Sequence, residues 1–157
     1  MIIGDDDEVI PENFKELVDF LQSAEEGAWL LSGVADAIKG EELYLGNIKP
    51  GSYDAETFRK IILRTGISRF GFVSIHIIPI ALRTKYLRLK PQEYHFWPHV
   101  ALFLMHLQEN GKIGVFTTPV VKQAAGGSVL FFYQGDWIRI ILSQLDMIAA
   151  IRRKITK

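Results

Sequence analysis

Apolar residues at helical spacing in the first third of the chain predict three helices. The first helix carries them three and four positions apart, at Phe14, Leu17, Val18 and Leu21. Ser23 and Glu26 have the spacing of a capping box, so a second helix is predicted to begin there and to end at Gly40. Asp54 suits the N-cap of a third helix, which Gly66 would end.

After Gly66 the pattern changes to one that is typical of a buried strand. Residues 70–78 are rich in β-branched and aromatic side chains on both faces, and Pro79 should end the strand. Residues 80–90 are ambiguous: Leu82, Tyr86 and Leu89 have helical spacing, whereas residues 84–90 fit an exposed strand that returns along its neighbour, and we favour the strand. Residues 99–108 are apolar nearly all round, which predicts a central helix enclosed by other elements.

The last third of the chain combines short strands and helices. A strand is predicted over 113–117, and Thr118-Pro119 is a start signal for a short helix. Residues 129–142 predict a hairpin that turns at 134–136, and a C-terminal helix should begin at Ser143. This order predicts an α+β fold: N-terminal helices packed with a small, mostly antiparallel sheet, one central buried helix and a C-terminal helix.

The 157 residues, 48% of them hydrophobic, predict one domain, which we place at 11–157 after an acidic, flexible tail at 1–10. The chain has no cysteine, which excludes disulfides, thiolate metal ligands and a cysteine nucleophile. Its start lacks the basic region of a signal peptide, and its longest apolar stretch, 70–82, is shorter than the roughly 20 residues that span a bilayer. We therefore expect a cytoplasmic protein with no membrane partner.

The formal net charge of zero conceals a charge asymmetry along the chain. Residues 1–56 hold 14 acids and 3 bases, whereas residues 57–92 hold 8 bases and no acid. Either the acidic and basic parts face each other, within or between chains, or the basic part faces an anionic partner. We favour the first interpretation, because surface charges usually need no partner molecule.

The basic segment 59–90 carries the candidate binding residues. Its cations supply charge for a phosphate backbone, and its tyrosine supplies an aromatic face for a base. The candidates for binding a partner or nucleic acid are Arg59, Lys60, Arg64, Arg83, Lys85, Tyr86, Arg88 and Lys90. A nucleic-acid surface would also use the basic C-terminus at 152–157. No helix-turn-helix or zinc-finger pattern is present to support this function.

Three histidines would share one face of a continuous helix and could then hold a metal ion: His95, His99 and His106. Pro98 interrupts that helix, so we favour hydrogen-bonded core histidines and predict neither a metal nor another cofactor. Ser74 and His76 share a face of the predicted strand, but residues on one strand rarely form a nucleophile and its base. No catalytic residue is assigned.

The apolar content of the chain decides the functional hypothesis. Mean hydropathy is +0.14, and aromatic residues such as Trp97 and Trp137 suggest more apolar surface than one compact monomer easily hides. We therefore expect a non-enzymatic domain that acts by self-association as a homo-oligomer, or by binding a protein partner. The alternative is a nucleic-acid-binding protein that uses the basic segment and the C-terminus. A histidine-dependent metal enzyme is a third hypothesis.

Overall fold

The computed structural model describes residues 1, 7–88 and 98–123. Its helices are α1 (Phe14–Ser23), α2 (Ala55–Thr65), α3 (Ile80–Leu87) and α4 (Pro98–Gln108). Its strands are β1 (Glu8–Val9), β2 (Trp29–Asp36), β3 (Gly51–Tyr53), β4 (His76–Ile77) and β5 (Ile113–Gln123). Short 3-10 turns cover Pro11–Asn13, Ile67–Phe70 and Val73–Ile75. Helices and strands in this arrangement confirm the α+β class.

The five strands form one mixed sheet in the order β1-β5-β2-β4, and β3 also pairs with β5. β2 and β5 are parallel along the whole of β2, whereas the β1–β5, β2–β4 and β3–β5 pairings are antiparallel. The longest pairing in the described sheet is therefore parallel, which the predicted, mostly antiparallel arrangement did not include. Parallel strands at the centre of a sheet are covered on both faces and carry apolar residues on both.

The helix predicted over residues 23–40 is wrong, because this part of the chain contains β2. Seven of the eight residues of Trp29–Asp36 are buried, so both faces of the strand carry side chains that belong in the core. A strand buried on both faces can imitate helical spacing over a short stretch. The capping-box signal is also misleading, since Ser23 is the last residue of α1 and its hydroxyl donates to the carbonyl of Phe20.

The short helix predicted to begin at Thr118-Pro119 is also wrong, because β5 continues to Gln123. The register between β2 and β5 shifts on both sides of Gly33, which pairs with Pro119. This irregularity accommodates the proline, which cannot donate a hydrogen bond to a neighbouring strand. Gly33 is required there, because a Cβ atom would overlap the carbonyl oxygen of Thr117.

Residues 70–87 are more helical than predicted. Of the strand expected over 70–78, only His76–Ile77 forms, and 3-10 turns precede it. The exposed strand expected over 84–90 is wrong where the structure describes this segment, because Ile80–Leu87 is α3. The helical spacing of Leu82 and Tyr86 is the pattern in this segment that agrees with the structure.

Two helices follow their sequence signals closely. α2 begins after Asp54, whose carboxylate accepts the backbone N–H of Thr57 at 2.7 Å, and this hydrogen bond lowers the pKa of Asp54. Gly66 caps its C-terminal end, as predicted. α4 is buried on almost every side, which confirms the predicted central helix.

Aromatic rings connect these helices to β2 in a single hydrophobic core. Phe58 of α2 lies 5.8 Å from Phe103 of α4, and Phe103 lies 5.6 Å from Trp29 of β2, between ring centroids. α1 packs on the sheet through Phe20, whose ring is 5.4 Å from that of Phe116 in β5. α2 is thereby fixed to the core, which matters because one of its ends lines the candidate site.

The sheet curls so that its two end strands approach each other. Asp7, directly before β1, accepts a hydrogen bond of 2.5 Å from the hydroxyl of Ser74, just before β4. β1 itself pairs with β5, so the tail predicted to be flexible ends in a strand of the sheet. The second carboxylate oxygen of Asp7 is buried and has no hydrogen-bond partner.

The predicted hairpin at 129–142 and the predicted C-terminal helix lie outside the described residues. Among the helices that are described, none has the length and apolar character needed to cross a membrane.

Candidate anion-binding pocket

A pocket of about 540 Å³ lies between the loop at 46–49, the C-terminal half of α2 and the 3-10 turn that contains Arg69. We call it the basic pocket. Its polar lining consists of Asn47, Lys49, Tyr53, Arg64, Thr65 and Arg69. Among the described residues that line it there is no carboxylate.

The carboxylate of Glu42 holds the loop that forms one wall of the basic pocket. It accepts the backbone N–H groups of Tyr44, Leu45 and Gly46 at 2.8, 2.7 and 2.6 Å. Hydrogen bonds to an ionised acceptor are stronger than those between neutral groups. The side chain therefore organises the loop through its backbone and is not one of the residues that face the pocket.

Gly46 allows the guanidinium of Arg69 to lie close to this loop. Its φ of 57° is in the left-handed region that favours glycine. A Cβ atom at this position would be 2.5 Å from Nη1 of Arg69, so a larger residue would displace the arginine. The same nitrogen lies 3.4 Å from the carbonyl oxygen of Tyr44 and donates to it.

Lys49, Arg64 and Arg69 give the pocket a concentration of positive charge. All three side chains are exposed. Within the described part of the chain, no carboxylate lies within ion-pair distance of any of them. Like charges that share a concave surface repel each other, and an anion bound between them would relieve that repulsion.

The end of α2 that borders the pocket contributes charge of the opposite sign. A helix C-terminus carries a partial negative charge, which favours Arg64 in the last turn and does not favour an anion. Anion binding at this place would therefore depend on the side-chain cations and not on the backbone of α2.

An apolar and aromatic wall adjoins the three cations. Ile48 and Ile61 line the pocket together with Tyr53, which is partly exposed. The hydroxyl of Tyr53 donates to the carbonyl oxygen of Lys49 at 2.7 Å, and its ring packs edge-on against Phe58 at 5.8 Å. The ring is thus held in place from two sides.

Of the predicted binding residues that the structure describes, only Arg64 lines the basic pocket. Arg59 has a structural contact instead, since Nη1 donates to the carbonyl of Leu107 at 2.7 Å at the end of α4. Lys60 forms an ion pair of 2.7 Å with Glu56 on the same helix, and Lys85 one of 2.5 Å with Glu109.

The remaining predicted residues lie in or after α3. Arg83 and Arg88 are exposed and do not line the pocket. Tyr86 belongs to α3, and Lys90 lies outside the described residues. The prediction of one surface along 59–90 therefore does not describe the cluster that forms, which takes Arg64 from α2, Arg69 from a turn and Lys49 from residues 1–56.

Ion pairs in the described residues do not join the acidic part of the sequence to its basic part, apart from one local pair. The described residues contain three ion pairs. Only one of these joins residues 1–56 to residues 57–92, and it is the local pair of Lys60 with Glu56. A third pair joins Lys112 to Glu25 at 3.7 Å. Facing acidic and basic surfaces are thus not seen within the described part of one chain.

The described histidines belong to the core and do not line the pocket. His99 donates from Nε2 to the carbonyl of Gly71 at 2.7 Å, and His106 from Nε2 to that of Lys112 at 2.8 Å. Burial lowers the pKa of both rings. His95 lies outside the described residues, and the others do not form a group of three metal-binding side chains with any Asp or Glu that the structure describes.

His76 is fully buried and does not act on Ser74. Its Nδ1 accepts the indole N–H of Trp29 at 3.0 Å, so its proton is on Nε2, which donates to the carbonyl of Phe70 at 2.8 Å. Ser74 donates to Asp7. The two residues considered as a nucleophile and its base therefore have separate partners.

Comparisons of the chain with profiles of known protein families, with curated protein sequences and with solved structures find no significant match.

Proposed function

We propose that the protein is a binding domain whose ligand is an anion held in the basic pocket. The observation that carries this proposal is that Lys49, Arg64 and Arg69 line one concavity, to which the described part of the chain contributes no carboxylate. The volume of about 540 Å³ is within the range of about 300–1,000 Å³ that is usual for small-molecule sites. This proposal differs from the nucleic-acid-binding alternative of the sequence analysis, with which it shares only Arg64 among the candidate binding residues.

Titration with inorganic phosphate tests the proposal. Binding is followed by NMR shifts of backbone amides at low ionic strength, where surface electrostatics are least screened. The double substitution Arg64→Gln with Arg69→Gln should weaken phosphate binding by at least about 10-fold, the loss typical of one charged hydrogen bond. Arg83→Gln with Arg88→Gln removes the same charge outside the pocket and should change the affinity less than about 2-fold.

Two outcomes of this titration would contradict the proposal. Equal weakening by both double variants would mean that phosphate responds to net charge alone. Shifts confined to residues away from the pocket would mean that the anion binds elsewhere.

Self-association or binding of a protein partner is a second candidate function. It is supported by three aliphatic side chains that are about four-fifths exposed: Ile38 at 82%, Leu63 at 85% and Ile80 at 78%. Single exposed apolar residues are common, so their number matters less than whether they become buried. Light scattering at micromolar concentration should show at least a dimer, and a strictly monomeric mass would remove the homo-oligomer from consideration.

A further inference from the structure

We infer that the ligand of the basic pocket is a phosphate monoester attached to an aromatic body, of about the size of a nucleoside monophosphate. This inference rests on the proposed anion-binding function and names the class of ligand. It combines three properties of the pocket: its volume, the number of cations that line it and its apolar and aromatic lining.

The pocket is too large for a simple inorganic anion. The volume of about 540 Å³ lies within the range of about 300–1,000 Å³ that is usual for sites that bind small organic molecules. Phosphate or sulfate, with five non-hydrogen atoms, would leave most of that space to solvent. A ligand that fills the pocket carries an organic group beside its charged group.

The number of cations favours a terminal phosphate over a phosphate within a chain. A phosphate monoester carries a charge of about −1.5 to −2 at neutral pH and three acceptor oxygens. Lys49, Arg64 and Arg69 can neutralise it and approach it from three elements of the fold. A phosphodiester carries one charge, and three convergent cations would exceed what it needs.

The apolar and aromatic part of the pocket lining suits an aromatic group. The ring of Tyr53 is fixed by its hydroxyl bond to Lys49 and by its contact with Phe58, so little freedom is lost when a second ring stacks on it. Ile48 and Ile61 add apolar surface, and Asn47 adds an amide donor and acceptor. Cations beside an aromatic face form the combination that binds nucleotides without a base-specific code.

Competition among related small molecules tests the ligand class. The probes are adenosine 5′-monophosphate, ribose 5-phosphate, inorganic phosphate, adenosine and an oligonucleotide without terminal phosphates. Isothermal titration should give the nucleotide an affinity at least about 5-fold above ribose 5-phosphate, which lacks the base, since stacking on an aromatic side chain is worth at least that factor. Adenosine and the oligonucleotide should bind more weakly than the nucleotide.

Substitutions of Tyr53 provide the matched control. Tyr53→Leu should reduce the affinity for the nucleotide at least about 5-fold more than it reduces the affinity for inorganic phosphate, because only the nucleotide has a base that stacks on the ring. Tyr53→Phe retains the ring and should retain at least half of the nucleotide affinity. Circular dichroism of both variants shows whether the fold is intact, and the Tyr53→Phe result applies even if Tyr53→Leu unfolds.

The outcomes separate the two proposals. Phosphate binding at the pocket with no added affinity for the nucleotide would overturn the ligand class and leave the anion-binding function in place. An oligonucleotide that binds more tightly than the nucleotide would also overturn it, in favour of nucleic acid. Absence of phosphate and nucleotide binding alike would overturn both.

Discussion

Acidification between pH 7 and pH 5 should destabilise the protein, because it protonates a histidine that the folded core keeps neutral. His76 is fully buried, and both ring nitrogens have partners that require the neutral ring. A second proton on Nδ1 would face the indole N–H of Trp29. Burial, and secondarily the charge of nearby His99, lowers the pKa of His76 from 6.5 to about 3.

The size and sign of the effect follow from linkage between protonation and folding. Above pH 6.5 the ring is neutral in both the folded and the unfolded state, so it contributes nothing to pH dependence. Between about pH 6.5 and pH 3 only the unfolded state takes up the proton, and the free energy of unfolding falls as the pH falls. At about 1.4 kcal/mol per pH unit, His76 accounts for a loss of about 2 kcal/mol at pH 5.

Urea unfolding at pH 7, 6 and 5, followed by tryptophan fluorescence, measures this loss. The interval is chosen because carboxylates with lowered pKa values, such as Asp36 and Asp54, remain ionised in both states over most of it. His99, whose pKa burial also lowers, should add to the loss in the same direction. The control is His76→Asn, whose side-chain oxygen can still accept from Trp29.

The His76→Asn variant should be less stable at pH 7 but should lose about 2 kcal/mol less than the unmodified protein between pH 7 and pH 5. An unfolding free energy that stays constant over this range would refute the reasoning. So would an NMR titration in which the His76 ring of the folded protein protonates near pH 6.5. The NMR titration needs no variant and therefore decides the question even if His76→Asn does not fold.

Three further predictions concern the pocket and the core. Gly46→Ala should weaken phosphate binding by displacing Arg69, as measured by the NMR titration, and unchanged binding would show that the contact is unimportant. Glu42→Gln should lower the free energy of unfolding in urea by about 1–3 kcal/mol, because an amide cannot replace the charged acceptor of three N–H groups; a loss below 0.5 kcal/mol would count against that role. Phe103→Ala should lower the free energy of unfolding by about 3–5 kcal/mol and Leu104→Ala by less, because of these two residues only Phe103 is fully buried. Equal losses would contradict this difference in burial.

Elements with local signals could be predicted from the sequence, whereas those defined by pairing could not. Asp54 and Gly66 determine the ends of α2 through contacts within four residues, and the prediction for this helix is confirmed. β2 has no such local signal, because its pairing with β5 joins residues more than 80 positions apart. Its apolar spacing is compatible with a helix, and only the partner strand decides between the two structures.

The sequence indicates only some of the residues that form the basic pocket. Arg64 and Arg69 belong to the segment that contains no acid, so the sequence indicates their surplus of charge. Lys49 lies among 14 acids in residues 1–56, where its own surroundings in the sequence predict neutralisation. Its position depends on a loop that Glu42 organises through backbone contacts, which residue spacing does not reveal.

The contacts that hold α2 and the loop at 46–49 determine which parts of the pocket a ligand would have to order. α2 is fixed to the core by Phe58 and by the bond from Arg59 to the end of α4, and the opposing loop is held by Glu42. Ligand binding would therefore order mainly the exposed side chains, at about 0.5–1.5 kcal/mol for each one immobilised. Arg59 thus holds the helix that carries Arg64 and, under the proposed function, would support binding without touching the ligand.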